Sequence, residues 1–246
     1  MTLLRKAAAV VAIAILLPAC IKENRNKVPV QLTVDLSKTG MPIGESSLFI
    51  TVVDNSGPYR EEVSTAGHPG LVNFKVIPGN VALSGVTASP GSALTGFSLT
   101  ASSGQEFPLA YAFCESLKAR RDENVYVTPE LHKQAAKITV TTLHSTPALT
   151  EVTVSATSNG FFLFDLSPVN DGYSLSVSKE GGDFPFVLPR QSDNAASLTI
   201  KTLEGTSDIA LGKMLAAKGY SWSEKDLKDI QFVFDQKNPS ASYILF

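Results

Sequence analysis

Histidine and cysteine are scarce in this chain, at 3 and 2 of 246 residues. Cys20 and Cys114 stand far apart in the sequence, so neither a Cys/His zinc cluster nor a disulfide framework can be assembled from them. Tryptophan occurs once, at Trp222, which argues against a sugar-binding face built from several large aromatics. A basic excess is also missing: Lys+Arg number 21 against 23 Asp+Glu, for a net charge of −2, and this leaves no electrostatic footprint for nucleic acid. The sequence contains no G-x-S-x-G elbow, H-E-x-x-H, P-loop or dinucleotide glycine pattern. The reading is therefore of a protein that is not an enzyme and carries no cofactor or metal. The apolar run at the N-terminus, residues 7–17, falls short of the roughly 20 residues that a membrane-spanning helix needs.

What is present begins with that run. Arg5 and Lys6 precede it and Leu17-Pro18-Ala19-Cys20 follows it, the charge, length and small-residue order of a secretion signal. The last four residues resemble the bacterial lipobox, in which the cysteine thiol receives a diacylglyceryl group and the signal is cut just before it. Cys20 is accordingly expected as a lipid attachment site, residues 1–19 as a signal peptide and 20–27 as a lipidated tether. Loss of 19 residues would leave 227 of the 246. Removing Arg5 and Lys6 would take Lys+Arg from 21 to 19 against 23 acids, a net charge of −4. The residue after Cys20 is Ile21 and not aspartate, which points to the outer membrane, with Lys22-Glu23 as a weak sign of surface export.

From residue 28 the hydrophobic period is two. Val28, Val30, Leu32, Val34 and Leu36 alternate with Pro29, Gln31, Thr33 and Asp35, the pattern of a half-buried strand. Similar runs recur at 48–53, 71–76, 81–87, 125–128, 136–142, 152–156, 161–166, 173–177, 184–188, 198–203, 230–234 and 241–246. Turn-forming groups such as Asp54-Asn55-Ser56-Gly57-Pro58 and Ile77-Pro78-Gly79-Asn80 separate them. This spacing predicts an all-β protein of sandwich type. One helix is expected, capped by Ser207 or Asp208, with Leu211, Met214 and Leu215 on its apolar face and Gly219 as its C-terminal stop. A charged break at 118–123, followed by Thr128-Pro129, predicts two units, 28–127 and 128–246, the second able to fold alone.

Three segments carry a resemblance to a known family: Leu48-Phe49-Ile50-Thr51-Val52-Val53-Asp54-Asn55-Ser56-Gly57; Phe74 through the Pro78-Gly79 turn to Val86; and Gly219-Tyr220-Ser221-Trp222 through Ile230 with the terminal hairpin. Together with the lipobox they resemble the fimbrillin-type subunits, and especially the FimB-type fimbrial anchor lipoproteins, of gut and oral anaerobes. The chain departs from the family in having Val81 where a tyrosine often follows the Pro-Gly turn. The resemblance implies two tandem transthyretin-like Greek-key β-sandwiches and a part in pilus assembly and cell adhesion. It also implies fimbrial partners joined by strand pairing, with Val28, Val30, Leu32, Val34 and Leu36 as the assembly strand. In that family, shaft precursors lose their first strand to an arginine-specific protease. Here Arg25 precedes the strand, the next arginine is Arg60, and only Lys38 offers a basic residue between 37 and 47. An anchor or accessory subunit is thus expected. The other function considered is a glycan- or protein-binding surface lipoprotein of a nutrient-uptake system.

The remaining reactive residues have ordinary readings. Cys114 lies beside Tyr111 and Phe113 and reads as a half-buried apolar side chain. Asp165, Asp171 and Asp183 read as turn carboxylates ahead of a calcium site. Phe161, Phe162, Phe164, Phe184 and Phe186 read as core ahead of a glycan platform, while Trp222 stays open between a glycan contact and burial under the terminal hairpin.

Overall fold

The computed structural model describes residues 27–39, 47–64, 70–87, 93–144 and 147–246. The expected signal peptide, Cys20 and most of the tether lie outside the described residues. The described chain is almost entirely β. Its first ten strands are β1 (Val30–Asp35), β2 (Ser47–Asp54), β3 (Gly57–Ser64), β4 (Leu71–Val76), β5 (Gly79–Thr87), β6 (Ala93–Thr95), β7 (Ser98–Thr100), β8 (Tyr111–Ala119), β9 (Val125–Val127) and β10 (His132–Lys133). Then follow β11 (Ala135–Thr142), β12 (Leu149–Ala156), β13 (Gly160–Phe162), β14 (Pro168–Val169), β15 (Tyr173–Ser178), β16 (Phe184–Pro189), β17 (Ser197–Thr202) and β18 (Thr206–Ile209). The helix α1 (Leu211–Ala217), β19 (Ile230–Phe234) and β20 (Tyr243–Leu245) complete the chain.

These strands form five sheets, with orders β4-β1-β9, β10-β8-β5-β2-β3, β16-β11-β19-β20, β15-β12-β17-β18 and β14-β13-β7-β6. The first two enclose one buried cluster, which includes Leu32, Val34, Ile50, Leu83 and Phe113. The next two enclose a second, with Ile138, Val154, Phe184, Phe186, Ile200 and Phe232. Alternation drives both: in β11 and β12 the buried side chains are Ala, Ile, Val and Leu, and those that face out are mostly Thr, Lys, Glu and Ser. Two pairings are parallel, β1 with β9 and β11 with β19, each reached by a long connection.

The clusters interleave along the sequence. Val86, Leu99, Ala101, Phe107, Ala110 and Ala112 belong to the second, so that core draws on residues from both sides of 118–129. The crossing is made by β7, which pairs with β13. Phe107 packs edge-on against Phe161 at 6.2 Å, and its amide donates to the Tyr173 hydroxyl at 3.3 Å. Gly160 permits the approach, because a Cβ there would lie 2.0 Å from the Leu99 carbonyl oxygen. A second crossing is polar. The Lys133 amide donates to Asp226 Oδ1 at 2.7 Å, the His132 ring meets the other Asp226 oxygen at 3.1 Å, and the Leu227 amide donates to the Lys133 carbonyl at 3.1 Å. Since β10 also pairs with β8, the loop before β19 is fastened to the edge of the β10-β8-β5-β2-β3 sheet.

The helix forms where expected but is capped differently. Ser207 and Asp208 lie in β18, paired with β17, and Asp208 accepts from Thr199 at 2.8 Å; Ala210 stands at the N-cap with no side-chain bond. Strand pairing uses both residues before a cap can form. The C-terminus follows expectation: Gly219 has φ +83°, its amide bonds to Ala216 and that of Tyr220 to Leu215, both at 3.0 Å, the paired bonds of a Schellman stop. Strands β3, β6, β7, β8, β10, β14 and β18 escaped the periodicity. β3 has no buried residue, and β8 buries only Ala112, Phe113 and Ala119 fully.

The crossing at Gly160 generates a prediction. Gly160→Ala must push the Leu99 backbone aside and should cost about 1–3 kcal/mol, the usual range for overpacking, read as a lower thermal midpoint. An unchanged midpoint would show that β7 can move away freely.

Candidate functional site

The first strand is where the expected assembly residues gather. β1 runs between two neighbours, antiparallel to β4 from Val30 opposite Val76 to Asp35 opposite Leu71, and parallel to β9 from Leu32 opposite Val125 to Val34 opposite Val127. Val30, Leu32, Val34 and Leu36 are all buried in the first core. Val28 lies two positions before the first paired residue and is 44% exposed, so the apolar pattern continues beyond the pairing that gives it meaning. Each buried side chain is worth about 1.5–3 kcal/mol, so the strand contributes on the order of 10 kcal/mol as an upper bound. Removing it would open a groove floored by Ile50, Leu83 and Phe113, with the facing backbone groups of β4 and β9 unpaired.

The other face of β1 holds polar contacts that alternation alone did not reveal. Thr33 Oγ1 donates to Asn73 Oδ1 at 2.8 Å, and Gln31 Nε2 donates to the same oxygen at 2.8 Å, tying β1 to β4 through side chains. The Tyr126 hydroxyl donates to Asp35 Oδ2, tying β1 to β9. Asp35 also accepts from Ser37, and these hydrogen bonds, from Ser37 first and then Tyr126, hold its carboxyl down at about 2.

The turns at the Val30 end are cross-braced. Asp54 Oδ1 accepts from the Ser56 amide and hydroxyl, at 2.7 and 2.6 Å, while Oδ2 accepts from the Ile77 amide at 2.6 Å. Burial alone would push the Asp54 carboxyl up, but the hydrogen bonds from Ser56 and Ile77 outweigh it and leave the group below its ordinary value. Asn55 Nδ2 donates to the Pro78 carbonyl at 3.1 Å. The two turn motifs read from the sequence are thus one unit.

The other candidate residues are placed as follows. Cys114 is half-buried, and burial, then the nearby Glu115 and Asp165 charges, push its thiol up from the ordinary value, away from the thiolate that nucleophilic chemistry needs. Asp165 accepts from the Ser167 amide and hydroxyl, closing its own turn. Among the described residues no group of three or more His, Cys, Asp and Glu is arranged to hold a metal ion. Phe161, Phe184 and Phe186 are core, whereas Phe162 is exposed. Trp222 is 7% exposed and packs edge-on against Tyr220 at 5.0 Å, with Tyr220 in turn against Phe246.

A cleft of about 530 Å³ lies beside that stack, lined by Arg190, Gln191, Asp193, Tyr220 and Trp222 among others. Most of its polar side chains are engaged. Arg190 donates to the Trp222 and Lys225 carbonyls and to Gln134 Oε1, and Gln191 bonds to Ser158 and Pro189. They hold loops together.

No protein-family model matches the chain, and no curated protein matches it. Solved structures do. The fimbrial anchor protein Mfa2 from Porphyromonas gingivalis superposes with TM-score 0.59 at 11% identity, over 88% of this chain and 95% of that one. A Bacteroides thetaiotaomicron protein described as a candidate for polysaccharide binding gives 0.61 at 11%, over 84% and 92%. A candidate adhesin from Bacteroides ovatus gives 0.60 at 9%, over 85% and 90%. At these identities the likeness shows the fold: the arrangement of sheets in this chain is similar to theirs along nearly the full length of each.

Two outcomes follow from the strand. Leu32→Asp places a charge in the first core and should lower stability by several kcal/mol, whereas Val28→Asp should leave the melting midpoint unchanged; equal effects would show that β1 is peripheral. The carboxyls predict the acid limb. Both Asp35 and Asp54 have lowered values in the folded chain, so their stabilisation is complete above the ordinary value of 3.8 and is lost as pH falls through the folded one. For Asp35 that window runs from 3.8 down to about 2. Melting midpoints measured across it should fall, and Asp35→Asn should flatten part of the slope.

Proposed function

We propose that this chain is a surface lipoprotein, held at the outer membrane through Cys20, that serves as the anchor or accessory subunit of a pilus and in cell adhesion. The observation that carries the reading is the fold shared with a fimbrial anchor protein over 88% of the chain at TM-score 0.59, taken with the lipobox at 17–20. A diacylglyceryl cysteine supplies two chains, and at about 0.8 kcal/mol per buried methylene this is enough for stable anchoring. Residues 1–19 are the signal peptide in this reading, 20–27 the tether, and 28–127 and 128–246 two sandwich units. The 98–110 segment is the part of the first unit that docks on the second. The protein is not an enzyme.

Retention of the first strand favours an anchor over a shaft subunit. Arg60 lies in β3, where its Nε donates to Thr51 at 2.8 Å and its Nη2 to the Gly96 carbonyl at 2.6 Å. Cutting there would release β2 as well as β1, and β2 is an inner strand, paired with β5 on one side and β3 on the other. A single incoming strand from another subunit could complete the sheet that β1 leaves open but could not replace both. The alternative, a glycan-binding lipoprotein of an uptake system, has less behind it, because Trp222 is buried and the cleft beside it has most of its polar groups engaged.

Cys20→Ser should abolish incorporation of labelled palmitate and release the protein from the membrane fraction; equal labelling of the variant refutes the lipid site. N-terminal analysis of the protein from purified outer membranes should give a blocked start at Cys20. A free start near Thr39, after Lys38, would make it a processed shaft subunit instead.

A further inference from the structure

The described residues give the molecule a polarity. At one end of the first sandwich lie Val30, the Asp54–Gly57 and Val76–Gly79 turns, and the Ala119–Val125 connection, because Val30 pairs with Val76, Asp54 with Gly57 and Gly79 with Ala119. At the other end lie Leu36 and Thr39, with Leu36 bonded to Gly70 and Leu131 to the Thr39 carbonyl. The chain leaves for the second sandwich from that opposite end, through β10 and β11. The tether therefore joins one pole, and the second sandwich hangs from the other. The far end of the second sandwich is equally defined: Leu149 pairs with Thr202, which places the Leu203–Gly205 hairpin away from the junction.

We infer that β1 is a tension clamp: pulling between the tether and the second sandwich draws the strand along its own axis, in shear against both neighbours. The inference rests on the proposed anchor reading for the source of the tension, which would enter through Cys20. In shear, the hydrogen bonds that flank β1 on β4 and β9, the Thr33–Asn73 and Tyr126–Asp35 side-chain bonds, and the burial of Leu32 and Val34 all oppose motion together. When a strand is peeled from one end, the same bonds break one after another and each resists alone. A central strand pulled along its axis is the strong geometry, and the brace between Asp54 and Ile77 keeps the turns at the loaded pole from opening first. Strand β9 strengthens the arrangement, because it gives β1 a second bonded edge.

Single-molecule pulling on the full chain tests this, with Cys20 and Cys114 changed to serine and cysteine handles placed in pairs. Handles at Lys27 and Glu204 pull along the axis; handles at Ser37 and Gly70, which flank the 3.0 Å Leu36–Gly70 bond, peel β1 from β4. Contour-length gains assign each rupture to the first or second sandwich. The first sandwich should rupture at severalfold higher force along the axis than on peeling. It should do so even if the second sandwich gives way earlier in the same trace. Equal forces in the two geometries overturn the clamp. Because Cys20 is serine throughout, this failure is separate from a failure of the lipid site, which palmitate labelling reads.

Discussion

A strand that is bonded on both edges and buried on one face cannot leave without exposing two rows of backbone groups and an apolar groove, and β1 is in that position. Its neighbours β4 and β9 reach it from opposite parts of the sequence, so that residues 30–35, 71–76 and 125–127 are held as one sheet. The rest of the first sandwich is arranged about this constraint. Leu32 and Val34 sit over Ile50, Leu83 and Phe113, and the Asp54 carboxylate joins the two turns at the strand's starting end. The polar face is also committed, through Asn73 and Tyr126, so the strand is fixed by side chains as well as by its backbone.

The second constraint is the junction. The two buried cores are tied together in three places. The 98–110 segment lends Leu99 and Phe107 to the second core, β10 carries its hydrogen bonds to β8, and the 222–229 loop returns to bind His132 and Lys133. Small side chains and buried polar partners make the first crossing feasible: Gly160 lets β7 and β13 meet, and Asn159 Nδ2 donates to the Ala101 carbonyl at 3.2 Å. The cleft residue Arg190 serves the third. Burial pushes its guanidinium down from the ordinary value, with Tyr220 and Asp226 acting against that, and its donors go to loop carbonyls. The polar contacts around this cleft are therefore directed inward, to holding loops and sheets in register.

Much of this was legible in the sequence because strand alternation is a local signal. The 28–36 run, the Pro78-Gly79 turn, the 136–142 and 152–156 strands and the Gly219 stop each follow from residues within a few positions of one another, where side-chain period and backbone freedom act directly. The β-rich class and the apolar face of β1 were determined at that level, as was the helix face of Leu211 and Leu215.

Tertiary structure alone decided the rest, because pairing between distant segments leaves no period. Nothing near Val125 says that β9 will lie parallel to β1, and the exposed β3 has too few buried positions to announce a strand. Ser207 and Asp208 look like caps until β17 claims them for a ladder. Val28 looks like core until the register of β4 stops at Val76. The assignment of Phe107 to the second core, and the placing of Val30 and Lys133 at opposite ends of the first two sheets, depend on which ends of strands meet. The sequence by itself determined which faces are apolar; only the folded chain, in which each backbone group must find a partner, determined what those faces meet and along which axis β1 is held.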